Sequence, residues 1–117
     1  MSRLTRLITL GLLAVPISTA VAHTSVRSSS PPAGSTIRAM PPVVTITLAS
    51  PPIRLVTARV ARRGADVTKS ARLNPRNARQ IQITTRPAKP GVYTASWMII
   101  GPDGHRVSGK ITFTVRR

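Results

Sequence analysis

Few side chains in this sequence could carry out acid–base or metal chemistry at neutral pH. The chain has 117 residues, with two histidines, two acidic residues and no cysteine. The histidines are His23 and His105, and the acids are Asp66 and Asp103. Without cysteine, no metal ion can be held through thiolates and no disulfide can stabilise the fold. Any metal chemistry must therefore use nitrogen and oxygen donors.

Asp103 and His105 lie two residues apart in the segment GPDGHRVSG. In an extended segment, residues i and i+2 project to the same side, and Gly104 between them adds no side chain. We therefore expect the carboxylate and the imidazole to converge on one point. Ordinary turn chemistry is the alternative explanation for an Asp-Gly pair and for a histidine beside it.

His23 lies directly after a segment that resembles a secretory signal. Residues 1–22 begin with Arg3 and Arg6, continue with an apolar core of about ten residues and end in Ala-Val-Ala. That apolar core is shorter than the roughly 20 residues that a membrane span needs. We predict a signal peptide at 1–22 that is cleaved after Ala22. Cleavage after Ala20 and an uncleaved membrane anchor are the alternatives.

Cleavage after Ala22 would give one domain, residues 23–117, with His23 at its N-terminus. The α-amino group and the ring of His23 can then close a chelate around one metal ion. Together with Asp103 and His105, this gives three nitrogens and one or two oxygens, a set that suits Cu(II) and that Zn(II) could also use. We predict one Cu(II) per chain on these three residues. We expect Asp66 to be a loop residue that pairs with nearby arginines, without a function.

The charge of the chain limits its partners without identifying them. Of its 18 basic residues, 16 remain after Arg3 and Arg6 are removed, against two acids, a formal net charge of about +14. Such a surface attracts nucleic acid, anionic lipid or acidic glycans non-specifically. The chain has only three aromatic residues, Tyr93, Trp97 and Phe113, too few for a typical single-strand nucleic-acid binder. We therefore expect no specific nucleic-acid binding.

The elements that must position these residues are strands, because apolar residues alternate at period two and proline- or glycine-rich turns separate the segments. This pattern predicts an all-β sandwich or barrel. We expect Trp97 to be the inward-facing anchor of the most hydrophobic strand. The predicted strands are a short opening strand at 23–30, then Val43–Leu48, Ile53–Ala61, Arg79–Thr85, Gly91–Ile100 and Gly109–Val115.

Two stretches resemble the CopC family of periplasmic copper-resistance proteins. The opening AHTSVRSSSPPAGSTI is similar to the family's H-x-x-x-x-x-S-x-P-x-x-G, with His23, a serine at 29 or 30, a proline at 31 or 32, and Gly34. The segment GVYTASWMIIGPDGHRVSGKITFTV is similar to its C-terminal signature, G-x-Y-x-V-x-W followed by D-G-H-P-V-S-G. The resemblance covers the whole of residues 23–117.

The resemblance implies a Greek-key β-sandwich of the cupredoxin or immunoglobulin-like type with seven or more strands. It also implies high-affinity Cu(II) binding in the periplasm by His23, Asp103 and His105, the residues reached above from their chemistry. The chain departs from the family at Ala49-Ser50-Pro51, where an acidic residue is usual, and at Arg106, where a proline is usual. With Met40 and Met98 alone, a Cu(I) site of several thioethers cannot form, so we predict a Cu(II)-only protein.

We expect a copper carrier or buffer without enzymatic activity, which either passes copper to an inner-membrane transporter or sequesters it. We take the protein to be a monomer, although its residues do not themselves distinguish a monomer from a dimer. One alternative is an enzyme similar to the copper monooxygenases that use an N-terminal histidine. The other is a basic module that binds anionic surfaces, with an affinity that falls steeply with salt.

Overall fold

The computed structural model describes residues 25–117, which form nine β-strands and no helix. No helix that could cross a membrane occurs among these residues. The strands are β1 (Val26–Ser30), β2 (Thr36–Ile37), β3 (Val43–Leu48), β4 (Arg54–Arg62), β5 (Ala65–Asp66), β6 (Thr68–Asn74), β7 (Asn77–Thr85), β8 (Gly91–Ile100) and β9 (Arg106–Val115).

The strands form two sheets, which confirms the predicted all-β sandwich. Sheet A has the order β1-β3-β7-β6, and sheet B has the order β2-β9-β8-β4-β5. Every strand pair is antiparallel except β2 with β9. Consecutive strands β3 and β4 lie in different sheets, so the connection between them crosses from one layer to the other.

The core lies between the sheets and is built from the alternation seen in the sequence. Trp97 is 4% exposed, which confirms its predicted inward position. Opposite Trp97 on β9 lies Gly109, where a Cβ atom would stand only 2.5 Å from Cζ2 of the indole. The absence of a side chain at 109 therefore makes room for the ring. The other large, fully buried side chains are Tyr93, Phe113, Ile46, Leu48, Ile81, Ile83, Ile99, Val44 and Val60.

Three strands, β2, β5 and β6, were not predicted, and each lies at the edge of a sheet. An edge strand can be short and can bury little of one face, so its alternation is faint in the sequence. In β6, no residue is fully buried. The start of β9 was also misplaced, because it begins at Arg106 rather than at Gly109.

One end of the sandwich, which we call the site end, collects the starts of β1, β4 and β9 and the ends of β3 and β8. The Ala49 N–H donates to the carbonyl of Ser25 (2.8 Å), which holds the start of β1 beside the end of β3. The Ile53 N–H donates to the carbonyl of Ile100 (2.8 Å), which holds the start of β4 beside the end of β8. The chain therefore enters β1 at the same end at which β8 turns into β9.

Candidate metal centre

The turn at 101–105 joins β8 to β9 at the site end, where Ile100 and Arg106 are the last paired residues of the two strands. The Gly101 N–H donates to the carbonyl of His105 (2.8 Å), and the Gly104 N–H donates to the carbonyl of Gly101 (2.9 Å). Gly104 has φ of 87°, a conformation that is strained for residues with a side chain. The backbone of the turn is therefore fixed by its own hydrogen bonds.

The Asp103 carboxylate contacts His105 twice. Its Oδ1 accepts the backbone N–H of His105 (3.1 Å), and its Oδ2 lies 3.2 Å from Nδ1 of the His105 ring. The convergence predicted from the spacing is present, but its physical reason was wrong. The two side chains meet because the backbone turns and the carboxylate accepts the N–H two residues on, not because the segment is extended.

Both side chains of this pair are accessible to solvent, with relative exposures of 82% for His105 and 46% for Asp103. Contact with the carboxylate engages Nδ1, so Nε2 is the ring nitrogen that a metal ion can reach while the contact is kept. The ring and the carboxylate can also bind one ion together if that ion takes the place of the proton between them. The first arrangement provides one nitrogen donor that the carboxylate orients, and the second provides one nitrogen and one oxygen donor.

The third predicted ligand, His23, lies outside the described residues. Within residues 25–117, no group of three or more histidine, cysteine, aspartate or glutamate side chains is placed to hold a metal ion. The described part of the chain thus brings together two of the three predicted donors, Asp103 and His105. A complete site requires at least one donor from elsewhere.

Asp66 lies in the β4–β5 hairpin, at the opposite end of β4 from Arg54. Its Oδ1 accepts the backbone N–H of Thr68 (2.8 Å). Hydrogen bonds from Thr68 are the main cause that lowers the pKa of Asp66 below its usual range, and the charges of Arg59 and Arg86 add to them. The expected pairing with arginines is therefore corrected: Thr68 is the principal partner, and the arginines act through space.

The two methionines of the described chain do not come together. Met98 lies on β8, and its Sδ is 3.3 Å from Nη1 of Arg106. Met40 precedes β3 and packs, partly buried, against the core. The start of β3 lies at the end of the sandwich away from the turn at 101–105.

The register of sheet B also groups residues that the sequence analysis did not single out. Arg59, Ser96 and Lys110 form one row across β4, β8 and β9. They line a groove of about 630 Å³ on the outer face of the sheet. The alternation of each strand places these residues on the outer face, but only the pairing between strands shows that the two cations flank one serine.

Comparison with known proteins identifies relatives. The family model of the CopC domain matches residues 26–116. The structure is similar to that of CopC from Methylosinus trichosporium OB3b, with a TM-score of 0.70 and 23% identity over 80% of this chain and 94% of that one. It is also similar to PcoC, a methionine-rich copper resistance protein from Escherichia coli, with a TM-score of 0.67 and 24% identity over 81% of this chain and 100% of that one. These likenesses establish the fold.

Among curated proteins, the chain is 34% identical over 50 residues to protein YobA of Escherichia coli strain K12. That match covers 42% of this chain and 40% of YobA, so it spans less than half the length of the relative. The same identity and coverage hold for the YobA protein of Shigella flexneri.

Proposed function

The chain belongs to the CopC domain family, and on that premise we propose that it is a periplasmic Cu(II)-binding protein that carries or sequesters copper. In this proposal a signal peptide, residues 1–22, is removed on export. One Cu(II) is then held by the amine and ring of His23, by Asp103 and by His105. The metal is the cargo of the protein.

The observation that carries the proposal is the contact of Asp103 with His105 at the site end, where the chain also enters β1. Ser25, held by Ala49 at that end, follows His23 by two residues. Two residues span at most about 7 Å, and we propose that this short reach lets His23 join the Asp103–His105 pair. An N-terminus located there can supply the donors that complete the site.

The chemistry of the donors favours Cu(II). A terminal histidine offers an amine and an imidazole that close one chelate ring, and a metal ion can displace the proton of an amine whose ordinary pKa is near 8. Three nitrogens and a carboxylate oxygen suit the tetragonal geometry of Cu(II), which also leads the affinity order of the divalent ions. Zn(II) is a weaker competitor for the same set.

The supply of methionine argues against an additional Cu(I) site. Escherichia coli PcoC is described as methionine-rich, whereas this chain has three methionines, including the initiator. Soft thioether donors favour Cu(I) when several of them converge. Met40 and Met98 lie far apart in the fold, which supports a protein for Cu(II) alone.

An enzymatic role similar to that of the copper monooxygenases is the weaker candidate. Those enzymes need an open coordination position and a broad, usually aromatic, substrate face. The three aromatic side chains of this protein, Tyr93, Trp97 and Phe113, are at most 4% exposed, so none of them is available to stack on a polysaccharide. In the proposed site, Asp103 also fills a coordination position. We therefore propose binding and transport without catalysis.

The partners follow from the proposed role. Copper is the ligand, an inner-membrane copper transporter is a proposed recipient, and the protein acts as a monomer. The alternative role, a basic module for anionic surfaces, would owe its affinity to net charge alone and would not depend on His23 or His105.

Copper titration monitored by EPR tests the proposal. We expect His23→Ala and His105→Ala each to lower the affinity for Cu(II) by orders of magnitude, while Ser108→Ala, an exposed change in the same hairpin, leaves it unaltered. Acidification to pH 4 should release the metal, since protons compete for the amine and both rings. Unchanged binding by both histidine variants would refute the proposal, and peroxide production with ascorbate would favour the enzyme.

A further inference from the structure

The groove on the outer face of sheet B is the feature that the proposed copper site does not use. It is lined by Thr57 and Arg59 of β4, by Ser96, Trp97 and Met98 of β8, and by Ser108, Gly109 and Lys110 of β9. Its volume of about 630 Å³ is in the range of sites that take a ligand of many atoms rather than a single small ion.

Two cations stand on opposite sides of this groove. Arg59 and Lys110 both pair with Ser96, from the two neighbouring strands. Adjacent strands are about 4.8 Å apart, so the backbones of the two cations are separated by about 10 Å. An anionic side chain that enters above Ser96 would therefore lie between a guanidinium and an ammonium group, with a hydroxyl beneath it.

The positive charge of the groove is not neutralised locally. Among the described residues, no acidic side chain lines the groove, and neither Arg59 nor Lys110 has a carboxylate within 4 Å. Asp66 lies in the adjoining cavity of about 230 Å³ and interacts with Arg59 only through space. The electrostatic potential of the groove is therefore positive, which favours the binding of an anionic ligand.

Part of the lining is apolar. Met98 lies between Thr57 and Ser108 in the next row along the sheet, whereas the ring of Trp97 points into the core on the other face. A small free oxyanion would gain no binding energy from contact with this apolar surface. An extended peptide, whose successive side chains point to opposite sides about 3.4 Å apart along the backbone, can place carboxylates and apolar groups against both.

We propose that this groove is a docking site for an extended acidic segment of a partner protein, with its carboxylates between Arg59 and Lys110. The segment's apolar side chains rest against Met98. This docking site is separate from the copper ligands and does not depend on the proposed copper function.

Isothermal titration calorimetry measures this binding directly. The probe is a short, end-blocked peptide of alternating Glu and Val, titrated into metal-free protein while the heat of binding is recorded. We expect a saturable heat of binding that a Gln–Val peptide of equal length does not produce. Added salt should weaken the binding, because the contacts are ionic.

A matched pair of variants separates docking from net charge. Arg59→Gln with Lys110→Gln removes two charges from the groove, and Lys69→Gln with Lys89→Gln removes two exposed charges elsewhere. We expect the first pair to weaken peptide binding about tenfold, as two exposed ion pairs are lost, and the second to change it less than threefold. Thermal unfolding of each variant verifies that it is folded, and single substitutions replace a pair that is not.

Three results would overturn this proposal. The first is the absence of saturable binding of the Glu–Val peptide. The second is equal weakening by both variant pairs, which would mean that only the net charge matters. The third is an equal response to inorganic phosphate or to phosphatidylglycerol vesicles, which would identify a simple anion site or a membrane surface instead.

Discussion

Asp103 holds His105 through both of its carboxylate oxygens, one on the backbone N–H (3.1 Å) and one 3.2 Å from Nδ1 of the ring. One residue thus shapes the turn and orients the imidazole. Two side chains arranged in this way would lose little conformational freedom on binding a metal ion together. The same contact makes the role of Asp103 testable, because its two contributions respond differently to substitution.

Asp103→Asn keeps an oxygen that can accept the backbone N–H of His105 but removes the negative charge. If Asp103 is a copper ligand, Asn should lower the affinity for Cu(II) at least tenfold while the free energy of unfolding changes little. Asp103→Ala should lower both. Copper titration and urea unfolding measure the two effects. Wild-type affinity in the Asn variant would show that Asp103 orients the ring without binding the metal.

Gly104 gives the turn its positive φ of 87°, and a Cβ atom there would meet nothing within 4 Å. The cost of a side chain is therefore conformational. Gly104→Ala should destabilise the protein by about 1 kcal/mol or somewhat more and weaken copper binding, whereas Gly104→Asn should cost less, since asparagine tolerates this region better. Equal effects of the two variants would argue against backbone strain as the cause.

Gly109 is needed for a different reason, because the ring of Trp97 occupies the space where a side chain at 109 would lie. Gly109→Ala would place a methyl group 2.5 Å from Cζ2 of the indole, and the ring must shift. We expect a loss of about 1–3 kcal/mol in the free energy of unfolding, typical of overpacked cores. Ser108→Ala, one residue away and exposed, should change it by less than about 0.5 kcal/mol. A stable Gly109→Ala protein with unaltered Trp97 emission would contradict the packing described above.

Asp66 makes the stability of the fold depend on pH. Its pKa is lowered in the folded state, mainly by the hydrogen bonds from Thr68. Its contribution is therefore fully present above its unfolded pKa and is lost as the pH falls through its folded pKa. Asp66→Ala should cost about 1 kcal/mol at pH 7. Urea unfolding should show that cost shrinking below about pH 4, and a cost that grows on acidification would contradict this assignment.

Strong alternation in the sequence was enough to predict the central strands and the inward position of Trp97. The Asp103–His105 contact was also predicted, although from an extended backbone that the structure replaces with a turn. Turn residues two apart in sequence can meet by either route, and spacing alone does not distinguish them. In the folded protein, the positive φ of Gly104 and the hydrogen bond from the His105 N–H to Asp103 show that the segment is a turn.

The remaining features depend on which strands become neighbours. The edge strands β2, β5 and β6 have little buried surface and hence little pattern. The groove between Arg59 and Lys110 exists only because β4, β8 and β9 align these residues with Ser96. Residues 51 positions apart in sequence come to line one groove through this register, which no local pattern encodes.

The most direct test of the copper proposal compares protein that begins at His23 with protein that carries one additional residue, Ala22, before it. The extension leaves every side chain in place but moves the free amine away from the His23 ring and so breaks the chelate. EPR-monitored titration should show an affinity for Cu(II) lower by orders of magnitude in the extended protein. Equally tight binding by the two proteins would contradict the account.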